Sequence, residues 1–155
     1  MGRTDFYDDP DAPPANSLVP AASAVVVDDA GRILLHRRRD NNLWALPGGV
    51  MEAGESIAGT AVREVREETG YDVRPLYVIG VYSDPKHVFA YDDGEVRQEF
   101  SVCIACQLMG GDLTTSEESH EVAWFTPEIA KQLPMHGRIR ARLVDYLAGV
   151  RAGFS

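Results

Sequence analysis

Five glutamates crowd into the stretch GGVMEAGESIAGTAVREVREETGY, residues 48–71: Glu52, Glu55, Glu64, Glu67 and Glu68. The last three fall within five residues. On a helix, carboxylates three and four positions apart share one side, where like charges cost a few tenths of a kcal/mol per pair. Near the C-terminal end they also oppose the helix dipole, which favours lysine or arginine there. A divalent cation removes both objections. Mg²⁺ takes hard oxygen ligands in octahedral array, commonly one or two carboxylates with water and substrate phosphate. Such an ion bridges an acidic protein to an anionic substrate, neutralises phosphate charge and lowers the pKa of a bound water.

The elements that must hold these groups follow from the surrounding residues. The spacing predicts a helix from about Ser56 to Thr69, with Ser56 as N-cap and Gly70 just past its end. At about 100° per residue, Ile57, Ala58, Ala61, Val62 and Val65 form one apolar arc. Glu64 and Glu68 border that arc and Glu67 lies one step further round, which sets the carboxylates at the lip of a cleft. Gly48 and Gly49 let the backbone pass close to an ion and offer a carbonyl ligand. Arg63 sits on the polar side, where it can hold an incoming carboxylate such as Glu55.

Gly49, five residues, Glu55, seven residues, then REVREETGY from Arg63 to Tyr71: this pattern resembles the Nudix box of the Nudix hydrolase family, with every charged and glycine position filled. Tyr71 stands where the family usually has an aliphatic residue, a departure that touches packing and not the metal site. LLHRR, WALPGG and EVAWF fall where Nudix domains carry similar segments. So many positions at set spacing make a specific signal. The resemblance implies a Nudix α/β/α sandwich with a mixed β-sheet, hydrolysing a nucleoside diphosphate linked to another group. It implies Glu67 and Glu68 as the main metal ligands, Glu64 as a ligand or as the group orienting the water, and the Gly48 carbonyl completing the shell. Arg63 and Glu55 are then the supporting pair, and Mg²⁺ the ion, with Mn²⁺ as the alternative. A general base in this family lies in the box or in a distal loop. TSEESHE offers Glu117, Glu118 and Glu121, of which Glu118 is favoured because Glu121 begins the next strand. A nucleoside diphosphate sugar such as ADP-ribose is the first expectation for substrate, and an oxidised or non-standard nucleoside triphosphate the second. A non-catalytic nucleotide-sensing Nudix-like domain is the rival from another class; such a domain is expected to lose box glutamates, and here all are present.

The remainder of the chain sets bounds. At 155 residues, with 45% apolar and 25% charged residues, it fits one domain with a real core. A net charge of −9 argues against a polynucleotide partner, which needs a basic surface. No apolar run is long enough for a membrane span, and the N-terminus shows no secretory signal, so a cytoplasmic protein is expected. Residues 1–19, rich in Pro and Asp, read as a flexible arm, and 20–155 as a single domain; the arm and family habit together suggest a homodimer. Strands are expected at AASAVVVDD and GRILLHRR about a turn at Asp29-Ala30-Gly31, then at VRPLYVIGVYS, RQEFSVCIACQL and EVAWFT, with two closing helices. RDNNLWALPGG and DPKHVFAYDDGEV read as loops. Intermixed strands and helices without regular βαβ alternation suggest a mixed sheet flanked by helices. Cys103 and Cys106 are three apart on a strand, so they point to opposite faces as buried thiols. Arg37, Arg38 and Arg39 end a strand before the substrate loop and are candidates for phosphate contact. The four histidines show no ligand spacing, and Tyr82, Phe89, Tyr91 and Phe100 read as buried before they read as base-stacking.

Overall fold

The computed structural model describes residues 2–154. Met1 and Ser155, the outermost residues of the predicted arm and domain, lie outside the described residues. The chain runs through β1 (Arg3–Tyr7), β2 (Ser17–Leu18), β3 (Ala21–Val27), β4 (Ile33–Arg38), β5 (Trp44–Ala45) and β6 (Gly48–Val50) into the helix α1 (Ile57–Thr69). There follow β7 (Tyr71–Tyr82), β8 (His87–Tyr91), β9 (Val96–Gln98), β10 (Ser101–Gly111) and β11 (Ser119–Phe125). The short helix α2 (Pro127–Ala130), α3 (Gly137–Leu147) and β12 (Gly153–Phe154) close it.

The main sheet has the order β11-β4-β3-β10-β7-β12, with β5 paired to β4 and β6 to β3. It is mixed: β10 runs parallel to β3 and β12 parallel to β7, while β10–β7 and β11–β4 are antiparallel. Alternation along its central strands sends residues to two separate cores. Val25, Cys103 and Ala105 face one side with Leu143 of α3 and Ala130 of α2. Ala24, Val26, Ile104 and Cys106 face the other with Ala61 and Val65 of α1. Each fully buried valine contributes about 1.5–3 kcal/mol. The helices thus cover the sheet on both faces, the expected α/β/α sandwich. Cys103 and Cys106 are both buried and free, one in each core.

A second, four-stranded sheet has the order β1-β8-β9-β2. Here the structure departs from the sequence reading. Residues 3–7, read as part of an aperiodic arm, pair antiparallel with β8, and Ser17–Leu18 pairs with β9. A short strand can be held by a neighbour's backbone without any apolar period of its own, so its signal is absent from the sequence. The DPKHVFAYDDGEV segment is a hairpin rather than a loop: Tyr91 N–H donates to the Glu95 carbonyl and Gly94 turns the chain at φ 93°. Its apolar face is only Val88, Ala90 and Val96, split by the turn, too short a period to announce a strand. The predicted long strand from Arg97 is interrupted between Gln98 and Ser101 where the chain passes from the small sheet to the main one. β5 and β6, read as loop, are short pairings that lay WALPGG against the main sheet.

Candidate active site

α1 begins where predicted: the Ser56 Oγ accepts from the Gly59 N–H at 3.0 Å, and Gly70 ends it at φ 83°. Its apolar stripe is anchored by Ala61 and Val65, both fully buried. The three glutamates then grade outward. Glu68 is 4% exposed, the Glu64 side chain 13% and the Glu67 side chain 59%.

Glu68 is the most constrained of them. Its Oε2 accepts from the Gly48 N–H at 3.2 Å and lies 3.6 Å from Nε2 of His36, whose Nδ1 meets the Ser119 Oγ at 2.7 Å. Burial lowers the His36 pKa to about 4, so at neutral pH this imidazole brings no positive charge to Glu68. The Glu68 pKa is raised by burial and then by the charge of Glu64, with Glu118 adding to it. Glu64 is raised too, by burial, against the opposing pull of Arg63. Two carboxylates side by side in a poorly solvated place are costly unless a cation joins them. Their hard oxygen donors fit a magnesium-like ion.

Arg63 organises the other edges. Its Nε and Nη2 donate to Glu55 at 2.6 and 3.1 Å, its Nη1 to Glu64 at 2.9 Å and Glu67 at 3.2 Å, and its Nη2 to the Val50 carbonyl at 2.9 Å. This clamp holds the Glu55 carboxyl down at about 2. The close approach demands glycine at two positions. A Cβ on Gly48 would run into the Ala22 carbonyl oxygen and come within 2.9 Å of the Ser23 Cα, and one on Gly49 would strike the Glu64 carboxylate, with Cδ at 2.5 Å.

The remaining predicted residues divide. Arg38 borders the cavity described next, its Nε and Nη2 held by Asp40 at 2.9 and 2.6 Å. Arg37 instead faces Glu121 across β11 at 3.4 Å, and the Arg39 Nε donates to the Ser119 carbonyl, so neither lines that cavity. Glu118 is exposed on the loop before β11, near enough to bear on Glu68. Tyr71 packs edge-on to Trp124, whose indole N–H donates to its hydroxyl at 3.2 Å, a packing role as expected. His36 and His87 are the residues missed from the sequence. His36 had one signal, its two-residue spacing from Leu34 on β4, which puts both on the face that α1 covers.

A cavity of about 650 Å³ opens beside Gly48 and Gly49 and extends to the small sheet. Five arginines line it against three carboxylates, in a chain that is acidic as a whole. Asp5, His87 and His136 in its wall present donor atoms within 4.8 Å of one another. Three facts speak against a metal there: the two imidazoles are stacked nearly parallel at 5.3 Å, the His136 Nδ1 already accepts from the Arg138 N–H, and guanidinium groups flank the cluster. His87 instead lies 3.8 Å from Asp5 and 3.6 Å from Glu99, contacts of an ion pair longer than a hydrogen bond. Glu99, 2% exposed, also receives Arg138 at 3.0 Å and Arg142 at 2.6 Å.

A family model described as NUDIX domain matches residues 17–147. The chain belongs to the NUDIX family. This NUDIX hydrolase is 37% identical over 139 residues to a MutT-like protein of Streptomyces ambofaciens, a match covering 89% of this chain and 81% of that one. It is 31% identical over 103 residues to an ADP-ribose pyrophosphatase of Methanocaldococcus jannaschii, covering 64% of this chain and 57% of the relative. A NUDIX hydrolase structure from Nitrosomonas europaea matches it with a TM-score of 0.70 at 23% identity, over 88% of this chain and 93% of the other. That likeness shows the fold. As a NUDIX hydrolase the protein is an enzyme acting on small nucleotides, in a family that generally uses a divalent metal. No helix among the described residues is long and apolar enough to cross a membrane.

Proposed function

We propose that this NUDIX hydrolase is a Mg²⁺-dependent pyrophosphohydrolase that cleaves a nucleoside diphosphate linked to another moiety, with ADP-ribose as the leading substrate. Buried Glu68 and half-buried Glu64 beside it, both raised by burial, with the Gly48 N–H on the first and the Arg63 guanidinium on the second, carry this reading. Glu64, Glu67, Glu68 and the Gly48 carbonyl would hold the ion, with Mn²⁺ as a substitute. When bound, it would neutralise diphosphate charge and acidify a coordinated water. The chain's own residues supply the rest. Arg63 holds Glu55, Glu64 and Glu67 in one arrangement; Glu118 takes the proton from the attacking water; Arg38 meets the diphosphate from the cavity side through Nη1, which lies outside its paired contact with Asp40, while Arg37 and Arg39 support the β11 edge. Positioning of this kind is the main lever in phosphoryl chemistry. The cavity supports a substrate with a bulky group beyond the diphosphate, since its volume falls in the range of small-molecule sites. A cytoplasmic location and a homodimer belong to the same proposal; sedimentation checks the second.

The test is a substrate panel with Mg²⁺, pairing ADP-ribose with oxidised and non-standard nucleoside triphosphates and reading nucleoside monophosphate and pyrophosphate separately. Release of AMP from ADP-ribose supports the proposal. Turnover of triphosphates alone moves the substrate to the second class, and turnover of nothing leaves a nucleotide-sensing domain.

A further inference from the structure

Strand alternation and register place β1, β8 and β9 side chains in a grid on one face of the small sheet. Asp5 stands opposite Phe89 and Phe89 opposite Arg97; Arg3 stands opposite Tyr91. Val88 and Val96, one residue off in phase, take the other face and are buried. An antiparallel sheet with one wet face ordinarily turns its polar side to bulk water. Here the polar and aromatic side forms a wall of the cavity that starts at Gly48 and Gly49, beside the glutamate cluster.

The groups on that wall are flat and layered. The Arg3 guanidinium lies 4.3 Å over the Phe89 ring and the Arg97 guanidinium 4.6 Å over the Tyr91 ring. Both guanidinium forks are already engaged: Asp5 accepts from Arg3 at 2.6 and 3.1 Å, and Glu95 from Arg97 at 2.7 and 3.1 Å. With the forks occupied, the planes are what these side chains have left to offer. Planes of this kind stack on any nucleobase, because every base has a π-face.

We propose that this face is the platform on which the substrate's nucleobase stacks, with Phe89, Tyr91, Arg3 and Arg97 as its planar elements, an assignment that rests on the nucleotide-hydrolase reading above. The cavity then runs from the diphosphate at the glutamate cluster to the base at the small sheet. The N-terminal strand becomes part of substrate recognition, since it supplies Arg3 and the Asp5 that orients it.

Binding of AMP and of ribose 5-phosphate to the intact protein without metal, followed through fluorescence of Trp44 in the same cavity, tests this. Phe89→Leu and Tyr91→Leu keep apolar volume and remove the plane; circular dichroism and Tm report whether each folds. The expected result is AMP binding weakened roughly tenfold to a hundredfold in each, ribose 5-phosphate binding unchanged, and AMP binding retained in Phe89→Tyr. Unchanged AMP affinity in both folded leucine variants overturns the platform. So do equal losses for the two ligands, and so does an intact protein that ignores AMP at millimolar concentration. The two levels separate cleanly. A protein that hydrolyses nothing yet shows the expected AMP pattern keeps the platform and loses the hydrolase reading, whereas turnover of ADP-ribose with indifference to the leucine variants removes the platform alone.

Discussion

Gly48 and Gly49 are neighbours with different neighbours of their own, and an alanine at each should fail in a different way. Neither has a left-handed φ, so alanine meets no backbone strain and the effect is steric. At Gly48 the added methyl meets main chain, the Ala22 carbonyl and the Ser23 Cα, which cannot yield without distorting the β3–β6 pairing. Overpacking of this sort costs about 1–3 kcal/mol, and at 155 residues each kcal/mol lowers Tm by roughly 2–4 °C. At Gly49 the methyl meets only the end of the Glu64 side chain, which can swing aside at the loss of its 2.9 Å bond from Arg63. That costs about 1 kcal/mol, yet it moves a carboxylate by an ångström or more from its working place, enough for a loss of about 10²-fold in turnover. Thermal melts and kcat/KM on ADP-ribose, measured side by side, should therefore separate the two variants: Gly48→Ala less stable, Gly49→Ala stable but nearly inactive. A Gly49→Ala variant with full turnover would show that Glu64 is not needed where the structure puts it. A large Tm loss in Gly49→Ala with none in Gly48→Ala would refute the packing assignment itself.

Three further outcomes are expected. Glu68→Gln mimics the protonated carboxyl that burial and the Glu64 charge favour in the absence of a cation, so turnover should fall about 10²-fold or more while Tm in chelator near neutral pH stays level; a much lower Tm in chelator contradicts the like-charge account. Arg142→Met strips the nearer guanidinium from buried Glu99 and should cost about 3 kcal/mol, partly recovered by adding Glu99→Gln, as denaturant melts of the single and double variants will read. Stability should also form a plateau in pH. Burial pulls the His87 pKa down, but the Asp5 and Glu99 carboxylates outweigh it and leave it raised, so its contribution is complete below about pH 6.5 and is lost as pH rises through the higher folded value. Burial pushes Glu99 up, but His87, Arg142 and Arg138 outweigh it and hold it at about 2, so its contribution is complete above the ordinary carboxylate range and is lost as pH falls toward 2. His87→Gln should flatten the alkaline limb of a Tm-against-pH curve, and an unchanged limb would mean that the group is neutral in the folded protein.

How much of this was legible in advance depends on whether an element's cause is local. The box helix is local: its cap at Ser56, its stop at Gly70, its arc through Ala61 and Val65 and its acidic edge all follow from residue types at fixed spacing, and each is where the spacing placed it. The Arg63–Glu55 pair was legible for the same reason, since its members are only eight positions apart. His36 was not, because its meaning comes from Glu68, 32 positions away in the chain and reached only when β4 lies beside α1. Nor could three consecutive arginines be sorted by type; only the pairing of β4 with β11 commits Arg37 to Glu121 and Arg39 to a backbone carbonyl, leaving Arg38 to the cavity.

The small sheet marks the boundary most sharply. By itself the sequence determined a capped helix with an acidic edge, a mixed sheet between helices and the membership that goes with them, because apolar periodicity and charge spacing act over a few turns of chain. It left β1 looking like an unstructured arm, since its partner strand is 80 to 88 positions away (91 − 3 and 87 − 7 give 88 and 80), and the β8–β9 hairpin like a loop, since Val88, Ala90 and Val96 are too short an apolar alternation to stand out. Only the tertiary structure, by laying Arg3 over Phe89 and Arg97 over Tyr91 in the wall of the cavity that opens at Gly48 and Gly49, decided what faces that end of the box helix. Long-range backbone pairing set that arrangement, and such pairing depends on which strand edges remain free once the main sheet has formed.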